Sequence, residues 1–314
     1  MGGIHRIVQT SDPAEFELAL QPWELLCRPT VAGRFSHRIH AFASLDCLLY
    51  RETYDLGVRL RGLTPAGMLL IGVPVAKGGA SRFWGKTQPD WNIPFSLPSH
   101  VRGNLAAGYE QLVAGVRIDT LRGAMSAEAY ARLEEHARSH VITCDTATRQ
   151  RLCDFVGSGL ERLLTRSDLV HSPRYAASLF DDLLEIFVGI SERSGDTNAP
   201  RKTARTQRGF ERALAFIRTA NIEDVRLSRL CEVSGISERS LRYAFHDRLD
   251  MSPTEFILRR RLHAARRALL EADASSVLIS QIATEYGFYE LGRFAGRYFK
   301  QFGELPSETL RRAN

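Results

Sequence analysis

The spacing of apolar and polar positions divides the 314-residue chain into three zones. In the first, residues ~30–120, short apolar stretches are broken by Gly and Pro, and RFSHRIHAF (34–42) alternates with the period of two that is typical of a strand. Further strands are predicted at 45–53, 56–62, 67–75 and 111–118. Short strands at close spacing predict a β-barrel or a β-sandwich.

The second zone, residues ~126–191, changes to the apolar spacing of helices. We predict one helix that begins at Ser126, a second over about 147–165, and a third with Ser172 as its N-cap. The segment that follows, residues 191–207, is polar, contains Gly and Pro and has no apolar period. It is therefore predicted to be an interdomain linker.

The third zone, residues ~208–312, is predicted to be helical almost throughout and contains one pattern twice, at 227–253 and at 279–306. Each copy has a short apolar helix, a turn glycine (Gly235 or Gly287) and a second helix with inward-facing aromatic residues. Glycine accepts a positive φ at such a turn without a Cβ clash. The pattern is the signature of a helix-turn-helix motif.

Within each copy, helical spacing separates inward from outward positions. The residues predicted to face the core are Leu230, Ile236, Leu241 and Phe245 in the first copy, and Ile282, Phe288, Phe294 and Tyr298 in the second. Cys231 and Ala283 occupy equivalent positions where a small side chain allows close helix packing, so Cys231 is interpreted as a packing residue.

The second helix of each copy is predicted to contact double-stranded DNA, since recognition helices place outward side chains against base edges and phosphates in the major groove. In the first copy this helix begins at Ser237, a suitable N-cap. The predicted DNA-binding residues are Arg239, Arg242, Tyr243 and His246 in the first copy, and Arg293, Arg297 and Lys300, beside Gly292 and Gly296, in the second.

Residues 253–270, between the two copies, are predicted to form one long helix that sets the distance between the recognition helices. Two such helices could occupy successive major grooves about 34 Å apart. The arginines expected to decorate the surface of this spacer are Arg259, Arg260, Arg261, Arg266 and Arg267.

Charge strengthens the prediction of a nucleic-acid partner for the third zone. The chain has a net charge of +6, but residues 1–200 carry 21 Lys+Arg against 22 Asp+Glu, whereas residues 201–314 carry 21 against 14. A +7 domain beside a −1 domain suggests a nucleic-acid-binding module, although acidic lipid or protein is an alternative partner for a basic domain.

Composition and motifs argue against several other classes. No run approaches ~18 uncharged apolar residues, so no membrane span is predicted, and the charged N-terminus does not resemble a signal peptide. The cysteines show no CxxC pair and are expected to be reduced, packed thiols in the cytoplasm; they are Cys27, Cys47, Cys144, Cys153 and Cys231.

No catalytic residue, cofactor or metal is predicted. His37 and His40 lie three apart on a predicted strand and so point to opposite faces. EEHARSH (134–140) lacks the order of a zinc-protease motif, and GGASRFWG (78–85) lacks the Lys-Ser/Thr that ends a phosphate loop.

A small-molecule pocket in the β zone would be apolar with a few polar groups. The aromatic residues of this region are interpreted as core rather than as pocket lining; they are Phe83, Trp84, Trp91 and Phe95. Arg34, His37, Arg38 and Tyr50 are weaker candidates for anchoring an anionic effector.

Three stretches resemble the DNA-binding domain of the AraC/XylS family of bacterial transcription regulators: GISERSLRYAF (235–245), MSPTEFILRRRLHAARRALL (251–270) and YGFYELGRFAGRYFKQFGELPSETLRR (286–312). The resemblance implies an all-helical domain with two helix-turn-helix units joined by a linker helix. It also implies asymmetric promoter recognition and, usually, activation of transcription, which makes RNA polymerase an expected partner.

The second recognition helix departs from the family in having Gly292 and Gly296 on its outward face, where many relatives have polar or basic residues. Each glycine weakens a helix by roughly 1 kcal/mol relative to alanine. We therefore expect the second copy to rely more on backbone contact and the first copy to supply most of the specificity.

The N-terminal zone is only generically similar to the family's companion domain, a cupin-like β-barrel with dimerisation helices. The predicted fold is α+β, with a sensing and dimerisation domain over 1–190, a linker over 191–207 and a DNA-binding domain over 208–314. The predicted function is a cytoplasmic, homodimeric regulator that responds to an unknown small-molecule effector. A ligand-independent regulator controlled by a protein partner or its own abundance, and a cupin-type enzyme fused to a DNA-binding domain, are the alternatives.

Overall fold

The chain forms two compact units, residues 1–201 and 202–314. The computed structural model describes these residues: 3–19, 23–76, 79–87, 92–96, 100–138, 140–192, 205–222, 224–272 and 278–312. Most of the predicted linker, residues 193–204, lies outside the described residues.

The strands of the N-terminal unit form two sheets. In chain order they are β1 (Ile4–Thr10), β2 (Glu24–Pro29), β3 (His37–Ala43), β4 (Cys47–Tyr54), β5 (Val58–Leu63), β6 (Met68–Ala76), β7 (Arg82–Phe83), β8 (Lys86–Thr87), β9 (Asn92–Ser96), β10 (His100–Leu105), β11 (Tyr109–Arg117) and β12 (Val141–Thr143). One sheet has the order β1-β3-β4-β11-β6-β9-β12 and the other the order β2-β5-β10-β7-β8.

The prediction of a closed barrel is wrong for the described strands. Closure requires the edge strands of a sheet to pair with one another, but β1 and β12 remain the edges of one sheet and β2 and β8 those of the other. The two sheets share an apolar core, which is the arrangement of a β-sandwich. Tyr54 and Val113 of the larger sheet contact this core together with Leu60 and Phe83 of the smaller one.

Helices cover the other face of the larger sheet. They are α1 (Pro13–Ala19), α2 (Ile118–Ala124), α3 (Ala127–Arg138), α4 (Thr146–Thr165), a 3-10 turn (Ser167–His171) and α5 (Pro173–Ser191), of which α2 to α5 form this layer. Ile71 of β6 and Ala114 of β11 pack in one cluster with Leu160 and Leu183 of the helices. The central strands β6 and β11 are therefore buried on both faces, which explains their continuous apolar sequences.

The predicted boundaries hold where the signal is local. Strands β3 to β6 and β11 lie within a few residues of their predictions. Ser172 is confirmed as the N-cap of α5, where its side chain accepts a hydrogen bond from the Tyr175 backbone N–H at 3.2 Å. Asp145 caps α4 in the same way by accepting from the Thr148 N–H at 2.6 Å.

The C-terminal unit is helical in all its described elements. They are α6 (Arg205–Thr219), α7 (Leu227–Ser234), α8 (Glu238–Leu249), α9 (Pro253–Glu271), α10 (Ile279–Glu285), α11 (Leu291–Phe302) and α12 (Pro306–Arg312). Helices α7 and α8 form one helix-turn-helix and α10 and α11 the other, with α9 as the predicted spacer. All eight residues predicted to face the core are buried. Cys231 is only half-buried, whereas its counterpart Ala283 is fully buried.

The sequence suggested that the arginines of α9 all lie on its surface, but several of them bond to neighbouring segments. Arg260 donates to the carbonyl oxygen of Ile217 at 2.6 Å, and Arg266 donates to the carboxylate of Glu304 at 2.7 Å. Arg261 donates to a third partner, the carbonyl oxygen of Val225, at 3.4 Å. These side chains tie the spacer helix to α6, to the segment before α7 and to the segment before α12.

The turn glycines make a direct prediction about stability. Gly235 and Gly287 adopt φ values of +65° and +79°. A Cβ there would face only the flexible ends of Arg212 and Arg261, so the cost of substitution comes from the left-handed backbone. We expect Gly235→Ala and Gly287→Ala each to lower the free energy of unfolding by about 1–2 kcal/mol, measured by urea denaturation of the full chain.

Gly296→Ala is the matched control. Gly296 lies inside α11 and has open space around an added Cβ. Alanine there should raise the free energy of unfolding by up to about 1 kcal/mol. A higher free energy of unfolding for Gly235→Ala than for the wild type would contradict the left-handed backbone conformation of Gly235.

Candidate DNA interface and ligand cavity

Helix α8 presents its predicted residues to solvent. The Ser237 side chain caps the helix by accepting a hydrogen bond from the Ser240 N–H at 3.2 Å. From this start, one face is buried against the unit, and the predicted residues lie on the opposite face. Arg239, Arg242, Tyr243 and His246 are all exposed. Tyr243 is 70% exposed, which is unusual for a large aromatic side chain and is typical of a contact surface.

Helix α11 presents a second exposed face with the same orientation relative to its own core. Arg293, Arg297 and Lys300 are exposed on it, whereas Phe294 and Tyr298 are buried. A Cβ added at Gly292 or at Gly296 would meet no heavy atom within 4 Å. The face is therefore open at both glycines, and its backbone can be approached closely by a ligand.

Acidic residues accompany an arginine on both recognition helices, which the sequence analysis did not identify. The Nε and Nη2 atoms of Arg242 lie 2.8 Å from Glu238 Oε1, and Arg293 Nη1 lies 2.8 Å from Glu290 Oε1. These pairs are exposed, so each contributes little to stability and can open when a phosphate competes for the guanidinium. In the sequence, these pairs were indicated by the spacing of four residues from Glu238 to Arg242 and of three residues from Glu290 to Arg293.

Exposed aromatic and apolar residues beside α11 were also missed. Tyr289, just before the helix, is 81% exposed, and Leu291 and Phe299 are exposed on the helix itself. The stretch YGFYEL alternates a buried Phe288 with the exposed Tyr289, a signal that was present in the sequence.

The net charge of +7 overstates the basic surface. Arg212 donates to the carbonyl oxygen of Ser234 at 2.6 Å, and Arg248 lies over the ring of Phe210 at 5.0 Å from its centroid. Such arginines hold the helices together, as Arg260 does. The exposed faces of α8 and α11 contribute Arg239, Arg242, Arg293, Arg297 and Lys300 to the basic surface, beside exposed arginines on other helices of the unit.

The N-terminal unit contains a cavity between its two sheets that opens to solvent. The lining residues are Trp23, Leu25, Tyr50, Glu52, Leu60, Thr64, Leu70, Gly72, Phe83, Trp84, Pro94, Ser96, Val101, Gln111 and Val113. Phe83 and Trp84 belong to the core, as predicted, and also line the cavity. Trp91 and the side chain of Phe95 lie outside the described residues.

A buried polar network forms one wall of this cavity. Glu52, 3% exposed, accepts hydrogen bonds from the Tyr54 hydroxyl at 2.9 Å and from the Gln111 amide. Gln111 in turn accepts from the Tyr109 hydroxyl at 3.1 Å. Burial, and then the charge of Glu52, raise the pKa values of Tyr54 and Tyr109, so both hydroxyls keep their protons at neutral pH. His37 Nε2 lies 3.6 Å from Glu52 Oε2.

Sequence reasoning missed Glu52 and Gln111 as cavity residues. The register of the sheet pairs them directly across β4 and β11. Each lies beside other polar residues of its strand, Glu52 in CLLYRETY and Gln111 in YEQLVAGVR, so the sequence did not single out either. Their meeting depends on strand pairing, which residue spacing does not specify.

The four candidate anchors for an anionic effector do not form one site. Tyr50 lines the cavity, His37 is buried behind it, and Arg34 and Arg38 are exposed. Arg34 and Arg38 are therefore not lining residues, because alternation along β3 directs Arg38 away from the core.

His37 and His40 point to opposite faces of β3, as predicted. The ring of His37 packs on Phe16 at 4.5 Å, whereas His40 Nε2 lies 2.7 Å from His5 Nε2 on the other face. Within the described ranges, no group of three or more His, Cys, Asp or Glu residues is arranged to hold a metal ion.

The remaining motifs have structural explanations. The described part of GGASRFWG forms the β7–β8 hairpin, whose turn residues Trp84 and Gly85 both have positive φ. No disulfide joins the five cysteines, all of which the structure describes. Among the helices in the described part of the chain, none combines the length and the apolar character needed to cross a membrane.

Comparisons with known proteins identify the C-terminal unit. Residues 230–312, from α7 to α12, match the family model of a helix-turn-helix domain. The chain is 41% identical over 102 residues to the XylDLEGF operon transcriptional activator of Pseudomonas putida, covering 32% of each protein. It is 43% identical over 77 residues to the probable thc operon regulatory protein of Rhodococcus erythropolis, covering 24% of this chain and 23% of that one.

A solved structure gives a similar result. A probable AraC family transcriptional regulator from Rhodopseudomonas palustris is 33% identical, with a TM-score of 0.32 and coverage of 34% of this chain and 97% of that one. The chain spans about a third of the length of the Pseudomonas relative. Both curated relatives are named as transcription regulators. The family model and the two helix-turn-helix motifs together show that residues 230–312 form a helix-turn-helix domain, and this part of the chain is similar in sequence to transcription regulators.

Proposed function

We propose that the chain is a sequence-specific, DNA-binding transcription activator. The observation that carries this proposal is the exposure of basic side chains on the outward faces of α8 and α11, two helices of matching design. In this arrangement Arg239, Arg242, Tyr243 and His246 contact one stretch of promoter DNA. Arg293, Arg297 and Lys300 contact a second stretch. The spacer helix α9 fixes the distance between them.

The two kinds of contact have separate roles. Lysine and arginine contacts to phosphate position the protein on DNA, and contacts to base edges distinguish sequences. Arginine forms paired hydrogen bonds with guanine, so Arg239 and Arg242 are proposed as base-reading residues. Activation is supported by the named function of the Pseudomonas relative and makes RNA polymerase the proposed partner.

We propose that the cavity of the N-terminal unit binds a small-molecule effector. Its mainly apolar lining and buried polar wall are typical of a ligand site. The effector would shift an equilibrium between two arrangements of a cytoplasmic homodimer, formed through the helices of residues ~126–191. The proposed division is a cupin-like sensing and dimerisation domain over 1–190, a linker over 191–207 and the DNA-binding domain over 208–314.

The DNA-binding proposal makes a salt-dependence prediction. An interface with 6–10 phosphate contacts should lose roughly 10³–10⁵ in affinity between 50 and 200 mM salt because bound counterions are released. Gel-shift titrations on the chain's own promoter region measure this slope. Arg297→Ala should reduce the slope by about one phosphate contact.

Arg6→Ala is the control for this titration, since Arg6 is an exposed arginine of β1, outside the helices proposed to form the dimer. It should leave the salt slope unchanged. A loss of tenfold or less for the wild-type chain would exclude a multi-phosphate interface.

A further inference from the structure

We propose that the cavity of the N-terminal unit selects a small organic cation, a protonated amine on a compact apolar body, with Glu52 as its anionic contact. This inference rests on the proposed function of the cavity as the effector site and names the chemical class of the effector. It gives the ligand the opposite charge to the anion that Arg34 and Arg38 suggested in the sequence.

The first argument is the charge of the cavity wall. Of the fifteen described lining residues, Glu52 is the only one with an ionisable carboxylate, and no lysine or arginine lies among them. Arg61 of β5 is buried but alternates with the lining residue Leu60, so it points to the other face of the sheet. Its Nη1 donates to the carbonyl oxygens of Leu60 and Gly103. An anionic ligand would therefore meet a carboxylate and no described cationic side chain.

The second argument is the unused acceptor capacity of Glu52. A carboxylate offers about four lone-pair sites, and Glu52 accepts from Tyr54 and Gln111. The nearest His37 nitrogen lies at 3.6 Å and forms no hydrogen bond. The two donors fix the carboxylate in place, and its remaining acceptor sites are available to an ammonium in the cavity. Burial makes such a charge-assisted contact stronger than it would be in water.

The third argument is the balance of charge behind the wall. Burial, then Glu52 and then Glu17, raise the pKa of the Cys27 thiol, which therefore stays neutral. Tyr50 also stays neutral because burial and Glu52 raise its pKa. Glu17 and Glu52 are both buried, and both carboxylates lie near the Cys27 thiol.

The fourth argument is the aromatic part of the cavity lining. Trp23, Tyr50, Phe83 and Trp84 all line the cavity, and the rings of Trp23 and Tyr50 are perpendicular at 5.9 Å. Aromatic rings attract organic cations through their quadrupoles, most strongly when the cation is desolvated. An aromatic wall combined with one carboxylate supplies both contacts that a protonated amine requires.

Three probes of one shape but different charge test the inference: benzylamine, benzyl alcohol and benzoate. Binding to the full chain is measured by isothermal titration calorimetry at pH 7 and checked by intrinsic tryptophan fluorescence. We expect benzylamine to bind at least tenfold more tightly than benzyl alcohol and benzoate to bind most weakly. Benzoate binding as tightly as benzylamine would overturn the inference without any variant.

Glu52→Gln tests the assigned contact, since it keeps the shape and one acceptor oxygen but removes the charge. It should reduce the affinity for benzylamine tenfold or more and leave the affinity for benzyl alcohol within about twofold. Glu110→Gln is the matched control, because Glu110 is an acidic neighbour of Gln111 that pairs with Arg51 outside the cavity. Its affinities should equal those of the wild type. Equal benzylamine binding by Glu52→Gln and wild type would overturn the role of Glu52.

The outcomes separate this inference from the proposed function. Benzoate or benzyl alcohol as the preferred probe would leave the cavity as a ligand site and reject only the cation. Gly72→Leu adds a side chain at the cavity wall, against Gln111 and Val113. Loss of binding of all three probes in this variant, with the urea unfolding transition of the wild type retained, shows that they bind in the cavity. Binding that survives in this variant, with an unchanged probe order, would reject the cavity as the site and both proposals with it.

Discussion

Replacing Glu304 with leucine is expected to lower the free energy of unfolding of the C-terminal unit by about 3–5 kcal/mol. The carboxylate of Glu304 accepts two hydrogen bonds from Arg266, at 2.7 and 3.1 Å, and a third from Thr309 at 2.8 Å. The side chains of Arg266 and Glu304 are only 11% and 9% exposed. Leucine would leave a buried guanidinium without its partner, which costs far more than the loss of a surface ion pair.

The double substitution Arg266→Met with Glu304→Leu tests the cause. Replacing both members of a buried pair by apolar residues of similar volume is often neutral or stabilising. We therefore expect the double variant to regain most of the stability that Glu304→Leu loses, as measured by urea denaturation. If the double variant is as unstable as the single one, the loss comes from packing and not from the unpaired charge.

Glu232→Leu is the matched surface control. Glu232 pairs with Arg229 at 2.7 Å, the same distance as the Arg266–Glu304 contact, but both side chains are more than half exposed. Its loss should change the free energy of unfolding by less than about 1 kcal/mol. A loss similar to that of Glu304→Leu would show that burial does not decide the energy of these pairs.

The Arg266–Glu304 pair also shows the limit of sequence prediction in the C-terminal unit. The stretch FGELPSETL, which contains Glu304, contributed to the family resemblance, but its partner lies 38 residues away on another helix. The sequence does not distinguish the arginines of α9 from one another, because all of them lie on one helix with a predicted polar face. Which of them turns inward depends on the path of the chain after α11, a non-local property.

The N-terminal unit shows the same division between local and non-local signals. Apolar runs predicted β6 and β11, because central strands are buried on both faces. Edge strand β1 was not predicted, since Ile4 and Ile7 are more than half exposed and its burial pattern does not alternate. Sheet closure was predicted wrongly because it depends on pairing between strands distant in the sequence.

The candidate sites follow this pattern. The outward residues of α8 and α11 could be predicted because the period of a single helix decides which side chains face solvent. The cavity wall could not, because Glu52 and Gln111 meet only through the pairing of β4 with β11. A sequence therefore predicts an interface on one helix more readily than a cavity between two sheets.

Removing arginines from α8 and from α11 is expected to change the affinity for DNA in different ways. Arg239→Ala and Arg242→Ala should each cost about 1–3 kcal/mol on the cognate site and much less on a scrambled site, if these residues contact bases. Arg293→Ala and Arg297→Ala should weaken both sites about equally, because α11 is proposed to hold DNA mainly through phosphate and backbone contacts. Gel-shift titrations on cognate and scrambled sites at one salt concentration measure all four variants.

Arg6→Ala serves as the control for these titrations. Arg6 is an exposed arginine of β1 in the N-terminal unit, so its removal leaves both the helix-turn-helix motifs and the helices of residues ~126–191 unchanged. Both affinities should match those of the wild type. Arg242→Ala with an unchanged preference between the two sites would remove Arg242 from base recognition.

Gly296→Ala separates the two modes of contact most directly. Beyond the two neighbouring residues and the backbone of α11 itself, no protein atom lies within 4 Å of the Cβ it would add, so the folded chain accommodates alanine and the helix should gain stability. If DNA approaches the backbone of α11 as closely as the bare face at Gly292 and Gly296 allows, the added methyl group meets only DNA. The expected result is a more stable protein that binds both sites more weakly. Unchanged affinity would instead mean that α11 contacts DNA through Arg293, Arg297 and Lys300 alone.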